Sequence, residues 1–364
     1  MILIALGFAS SLPVKTTVHE IPKPSLKMYE KLLVNHSDTL QCPCVRSSIP
    51  YKSFINVTVL NRHQVCSSSF ITKEWIRTLL RPEPQSDYSP TDFRKTAIGF
   101  FQLLASLCQL TEQHLTGELS DLMSRNLINT NVISSLQLNQ QMQSIISQFQ
   151  QNVSSSFLTT LQLVRSMTSD NLLIPVFETN WKWMDPSRSH ANYWGLTLNT
   201  KPIVYNGSCN CGISPQCVRE SSTMPGLMVG CYPLESLLKS TLQCLYNISC
   251  FSQLSIVGQS FLYLKDSKTS RYEKNATVEV ILNQLMVEQW FNSVTYENYY
   301  NQCAPSLCSY SYPQHRRISE VLTLLLGLQG GLMIITDIVA RILIYLSEKI
   351  QINRMAQNGQ VHPM

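Results

Sequence analysis

Apolar residues recur at helical spacing along much of the chain. Residues 91–174 contain no proline, and only Gly99 and Gly117 interrupt them. Phe101, Leu104, Cys108, Leu115, Leu119 and Leu122 follow steps of three, four or seven. Leu138, Met142, Ile145, Phe149, Val153, Phe157, Leu161 and Val164 then extend over almost four heptads as an a/d stripe. The other faces of this second run carry Gln137, Gln140, Gln141, Gln143, Gln148, Gln150 and Gln151 rather than charged residues. The pattern predicts a helical hairpin over residues 93–174, turned around residues 126–131. Its stripe serves either as a coiled-coil partner face or, more simply, as packing between the two helices and the rest of the domain. Helical spacing returns over residues 234–246 (Leu234, Leu238, Leu242, Leu245) and 278–290 (Val278, Leu282, Leu285, Trp290).

The pattern breaks elsewhere. Residues 15–92 are irregular and carry Pro22, Pro24, Pro43, Pro50, Pro82, Pro84 and Pro90; residues 54–60 read as a strand and 82–90 as a linker. Residues 175–233 are rich in proline and cysteine and hold the aromatic cluster Trp181, Trp183, Tyr193 and Trp194. Packing in a core or interface is the first expectation for these rings, an exposed binding patch the second. The segment around Lys265, Asp266, Ser267 and Lys268 reads as an exposed loop.

Residues 321–346 read VLTLLLGLQGGLMIITDIVARILIYL. A helix of this length reaches about 39 Å, against a hydrocarbon core of roughly 30 Å, so the segment is long enough to cross a bilayer. Asp337 and Arg341 stand four apart, acid first, the favourable order for an ion pair. Arg341 is expected near the inner interface, its long stem reaching the headgroups, with Asp337 one turn deeper. Gly327 and Gly331 form a G-x-x-x-G pair. This is a candidate helix-packing face for self-association or for contact with a first helix of the same chain. Gln329, Thr336 and Asp337 can line a pore only where several copies assemble. The opening MILIALGFASSLPV is apolar up to Lys15 and lacks a basic n-region. Two readings stay open for residues 1–14, a signal peptide or a truncated first transmembrane helix.

Composition then sets the compartment. Charged residues make up 14% of the 364-residue chain, well below the ~25% of an average soluble protein. The net charge of +5 is spread without a Lys/Arg block, so a nucleic-acid partner is not expected. All 12 cysteines precede residue 321: Cys42, Cys44, Cys66, Cys108, Cys209, Cys211, Cys217, Cys231, Cys244, Cys250, Cys303 and Cys308. The N-x-S/T sequons at Asn35, Asn56, Asn152, Asn206, Asn247 and Asn275 lie on the same side. An even cysteine count beside sequons predicts disulfides in an oxidising compartment. Arg316 and Arg317 before the helix nearly balance Lys349 and Arg354 after it. The positive-inside rule therefore does not decide, and the cysteines and sequons set the side. The protein is expected at the cell membrane with its ectodomain extracellular.

The C-x-C pairs Cys42/Cys44 and Cys209/Cys211 depart from the C-x2-C spacing of zinc half-sites, and the histidines are scattered. Disulfides are expected rather than a metal, each C-x-C cysteine bonding to a distant partner. Cys303 and Cys308 bracket Ala-Pro-Ser-Leu, a spacing that fits a small closed loop. No G-x-S-x-G, H-E-x-x-H, P-loop, GxGxxG or EF-hand pattern occurs, and neither an enzyme nor a cofactor is expected.

These readings combine into a mainly α ectodomain with disulfide-rich irregular and β segments, plus a C-terminal transmembrane helix. The expected order is residues 1–14, a Cys/Pro-rich segment 15–92, the hairpin 93–174 and a Cys-rich segment with helices 175–320. A transmembrane helix 321–346 and a cytoplasmic tail 347–364 complete it.

The motifs CPC, HQVCSSSFITKEWI, MPGLMVGCYPLESLLKSTLQCLYNISC and YYNQCAPSLCSYSY together resemble a family of invertebrate surface proteins that has no assigned activity. In that family a Cys-rich ectodomain lies between two transmembrane helices. The resemblance runs from about residue 40 to 346 and implies a first membrane helix before Lys15. CAPSLCSYSY is also similar to the cysteine-proline segment before the second helix of the degenerin/epithelial sodium channel superfamily. That likeness is one of layout, because the Gly/Ala-x-Ser filter has no counterpart among Gly327, Gln329, Gly330 and Gly331. The function expected is binding or adhesion at the cell surface, with an oligomeric channel subunit as the alternative. The partners expected are the membrane, an extracellular ligand and a further copy of the chain through the membrane helix.

Overall fold

The computed structural model describes residues 15–80, 88–184, 200–205, 207–252, 263–266, 270–314 and 318–358. From the N-terminus come β1 (Lys15–Pro22) and α1 (Leu26–His36), the helix capped by Ser25, whose Oγ accepts the Met28 N–H. β2 (Ser48–Pro50) and β3 (Ile55–Arg62) lead to the short α2 (Lys73–Thr78), capped in the same way by Thr72. The two long helices follow, α3 (Ala97–Ser124) and α4 (Ser135–Asp170), with β4 (Asn126–Ile128) between them. Ser134 and Gln137 close a reciprocal capping box that starts α4.

The next stretch holds six short strands: β5 (Trp181–Trp183), β6 (Thr200–Pro202), β7 (Val204–Tyr205), β8 (Cys209–Asn210), β9 (Val218–Glu220) and β10 (Met228–Gly230). Then come α5 (Pro233–Lys239), α6 (Ile248–Ser252) and α7 (Val278–Leu282). β11 (Val287–Val294), α8 (Tyr296–Cys303), β12 (Leu307–Gln314) and α9 (Ile318–Asn358) complete the order. The described residues are about half helical, and the sheets among them are two-stranded.

The chain divides into two compact units, one drawn from Met1–Ser47, Asn129–Val132 and Cys303–Met364, the other from Ser48–Ile128 and Ile133–Gln302. In the first, β1 and β12 pair antiparallel over their full lengths, from Lys15 opposite Gln314 to Pro22 opposite Leu307. α1 lies against β12 and buries Tyr29 and Leu32. α9 follows β12 in sequence.

The second unit is built around α3. Phe70, Trp75, Phe93, Phe100 and Phe101 are buried and meet mostly edge to face, with Phe70–Trp75 and Trp75–Phe101 centroids both 5.3 Å apart. Edge-on contact sets the positive ring rim against a negative face, so these pairs add to plain apolar burial. The heptad stripe of α4 turns inward: Leu138, Met142, Ile146 and Val153 are buried, while Phe149, Phe157 and Leu161 pack partly against the core. The stripe therefore supports the chain's own core, and Ile146 rather than Ile145 is its buried residue at that turn.

Two segments with helical spacing fold otherwise. Over residues 278–290 the helix stops at Leu282, and Leu285 and Met286 adopt positive φ values of 55° and 58°. Such backbone is strained for these side chains. Full burial of Leu285, Met286 and Val287 offsets it, and the chain continues as β11, paired antiparallel with β3. Over residues 234–246 α5 ends at Lys239. Ser240 turns out of the helix and is fully buried, its Oγ accepting from the Met228 N–H at 2.8 Å and donating to the Ser236 carbonyl at 2.7 Å. Residues 15–92, expected to be irregular, contain three strands and two helices among their described positions.

Candidate functional site

Candidate chemistry in the first unit gathers where the chain runs into α9. The C-x-C cysteines lie beside β12 because Gln41 bridges Ser309, with both Gln41 N–H to Ser309 carbonyl and the reverse at 2.8 Å. Cys42 joins Cys308 and Cys44 joins Cys303, across 266 and 259 positions of sequence. Cys303 and Cys308 therefore do not close the local loop their spacing predicts. The Gln41–Ser309 bridge presents Cys308, and the end of α8 presents Cys303, to the C-x-C segment instead. The Val45 N–H donates to the Cys303 carbonyl at 2.9 Å, so backbone and disulfides clasp the same point.

On one face of the β1–β12 ribbon, His19 stands opposite Tyr310, with Tyr312 two positions along. The rings stack: His19–Tyr312 centroids are 5.3 Å apart, and His36 from α1 lies 4.1 Å from Tyr310. The His19 Nε2 and the Tyr312 hydroxyl are 3.1 Å apart. The alternation Ser-Tyr-Ser-Tyr marks the tyrosines as one strand face in sequence, but nothing local announces their histidine neighbours.

α9 is the one helix among the described residues long and apolar enough to cross a membrane, over Leu326–Arg354. None of that window is buried, and fifteen large apolar side chains from Leu322 to Ile352 are exposed. At roughly 100 Å² each they present on the order of 1,500 Å², several times the largest patch of an ordinary soluble protein. The helix continues to Asn358, so residues 347–358 of the expected tail are helical. Asp337 Oδ2 lies 3.0 Å from Arg341 Nε, both side chains exposed, and the space where Gly327 and Gly331 would carry a Cβ is open. Gln329 and Thr336 are likewise exposed.

In the second unit the remaining cysteines pair as Cys66–Cys108, Cys209–Cys217, Cys211–Cys231 and Cys244–Cys250, and none is free. The two C-x-C pairs bond away from themselves. The sequon residues Asn35, Asn56, Asn152, Asn247 and Asn275 are all exposed; Asn206 lies outside the described residues. Trp181 is half-buried and Trp183 exposed, whereas Tyr193 and Trp194 lie outside the described residues.

Arg165 is a second-unit residue that periodicity did not single out. Its guanidinium forks onto Glu235, with Nε–Oε1 and Nη2–Oε2 both 2.6 Å, and its Nη1 reaches Glu279 at 3.4 Å. Lys239 holds the other oxygen of Glu279 at 2.6 Å. The hydrogen bond to Glu235 raises the Arg165 pKa, so the cation is permanent. Beside it a groove of about 420 Å³ is lined by Leu158, Leu161, Gln162, Arg165, Glu279 and Asn283. Two further groups are tuned. Burial lowers the His63 pKa, partly opposed by Glu288, and its Nδ1 accepts the Val65 N–H at 3.3 Å. Burial pushes the Tyr272 phenol, edge-on to His63, up to about 12. Among the described residues no three His, Cys, Asp or Glu side chains gather as metal ligands.

No family model, no curated protein and no solved structure matches the chain.

Proposed function

We propose that the chain is a membrane-anchored cell-surface glycoprotein whose disulfide-bonded units face the extracellular side and bind or adhere to a ligand there. α9 carries this reading. A helix exposing that much apolar surface needs a non-aqueous cover, and a bilayer supplies one at the matching length. All twelve cysteines are paired and lie on its N-terminal side, and disulfides form and persist in an oxidising compartment. Five exposed sequon asparagines on that side are open to glycans.

The β1–β12 register adds support for the two-helix layout that the family resemblance implies. Lys15 stands opposite Gln314, four positions before α9, so β1 begins beside the end of the strand that precedes the membrane helix in sequence. The channel alternative gains less. At roughly 100° per residue Gln329 and Thr336 share a face, but Asp337 falls about 100° from Thr336, so the three do not form one pore-lining row.

Alkaline carbonate extraction of membranes from cells expressing the full chain tests the anchor. The full chain is expected in the pellet, and residues 15–314 behind a cleavable secretion signal are expected in the medium. Release of the full chain by carbonate contradicts the reading. Cells bearing the chain are further expected to adhere more strongly to neighbouring cells or matrix than cells bearing α9 alone. A new ionic conductance without added adhesion favours the channel instead.

A further inference from the structure

On α9, Thr323, Gly330, Asp337 and Arg341 fall within about 20° of one line at roughly 100° per residue. Leu332, Val339 and Leu346 run along the opposite side. The Asp337–Arg341 pair is made within the helix at 3.0 Å, and its two side chains remain 62% and 78% exposed. Asp337 lies inside the apolar window Leu326–Arg354, one turn deeper than Arg341. Ionised side chains at that depth face protein or water rather than lipid. Gly330, on the same line about two turns before Asp337, and Gly327, about 60° from it, have nothing within 4 Å of their Cβ positions. The face thus joins close backbone access to a buried-depth ion pair.

We propose that this face is the contact between two parallel copies of the chain in the membrane. This inference rests on the reading of α9 as a membrane span. Parallel helices bring equal depths together, and residues four apart on facing lines are diagonal neighbours. Asp337 of each copy then meets Arg341 of the other, closing a ring of four alternating charges. The glycines let the backbones approach, so that van der Waals packing adds to the charges. A second copy offers a partner to both charges.

Energy transfer between full chains carrying donor or acceptor tags after Met364, in cell membranes, tests the contact, with carbonate extraction run in parallel. Wild-type chains are expected to transfer. Gly330→Ile is expected to lose the signal while remaining in the carbonate pellet, and Leu332→Ala on the opposite side to keep it. Asp337→Arg and Arg341→Asp chains are each expected to lose transfer alone and to recover it when mixed, because only the mixture sets opposite charges against each other across the contact. Full transfer in Gly330→Ile, or wild-type chains that stay in the pellet without transfer, overturns the contact. A mixture of inserted charge variants no better than either alone also overturns it. Crosslinking of Gly330→Cys to Gly7→Cys within one chain places the N-terminal segment on this face and overturns it as well. Wild-type chain released by carbonate overturns the membrane span itself, which separates the two failures.

Discussion

Cys42 and Cys308 are 266 positions apart in sequence and share one disulfide, beside a second that joins Cys44 to Cys303. Both bridges lie within the first unit, on residues that precede α9 in sequence.

This clasp predicts a specific peptide map. Proteolysis of the non-reduced protein is expected to release Cys42 and Cys44 linked to Cys303 and Cys308, with no Cys303–Cys308 loop. Removing Cys42 and Cys308 together by serine substitution is expected to cost about 2–5 kcal/mol, read as a lower denaturation midpoint. A map showing Cys303 bonded to Cys308 contradicts the clasp and the Gln41–Ser309 bridge that sets the C-x-C segment beside β12.

The Arg165–Glu235 fork ties α4 to α5 with both side chains largely withdrawn from water. Arg165→Ala leaves Glu235 buried without its cation, and a loss of about 3–5 kcal/mol is expected in a chemical denaturation curve. A change below about 1 kcal/mol, the size of an exposed pair, contradicts the burial described for it.

His63 makes stability depend on pH. Its folded pKa lies below the unfolded value of 6.5, chiefly through burial. The unfolded chain therefore binds the proton first as pH falls, and stability is full above about pH 6.5 and declines below it. Melting temperatures at pH 7.5 and 5.5 are expected to differ by less in His63→Gln than in the wild type. An identical difference in both removes His63 as the source.

Much of this was legible in the sequence, and the exceptions have physical causes. The rhythm of Leu138, Met142 and Val153 is that of a helix face, and the same residues are buried on α4. Apolar length alone marked the membrane-spanning candidate. Helical spacing at Leu282 and Leu285 misled, because pairing of β11 with β3 and the burial of three consecutive side chains outweigh local preference. That neither C-x-C closes on itself was legible, and Cys42 and Cys44 do bond to distant partners, whereas Cys209 bonds only 8 positions away; the partners themselves were not legible. Strands joined by a loop of more than 250 residues decide them, and no local spacing encodes that register. His19 against Tyr310 depends on the same register.

If the sequons face the secretory lumen, treatment of the expressed chain with an N-glycosidase is expected to increase its gel mobility, and Asn152→Gln to remove one step of that shift. Asn152 sits exposed in mid-α4, clear of the core stripe, so the substitution leaves the fold intact. An unshifted band from the unaltered chain argues against the extracellular assignment.

The most direct measurement labels intact cells with a membrane-impermeant, amine-reactive biotin and maps the modified lysines. Lys27, Lys52 and Lys201 are exposed ahead of α9, and Lys349 lies exposed beyond the middle of it. Label is expected on Lys27, Lys52 and Lys201 of intact cells, and on Lys349 only after permeabilisation. Label on Lys349 with the other three protected, or all four protected until the cells are opened, contradicts it.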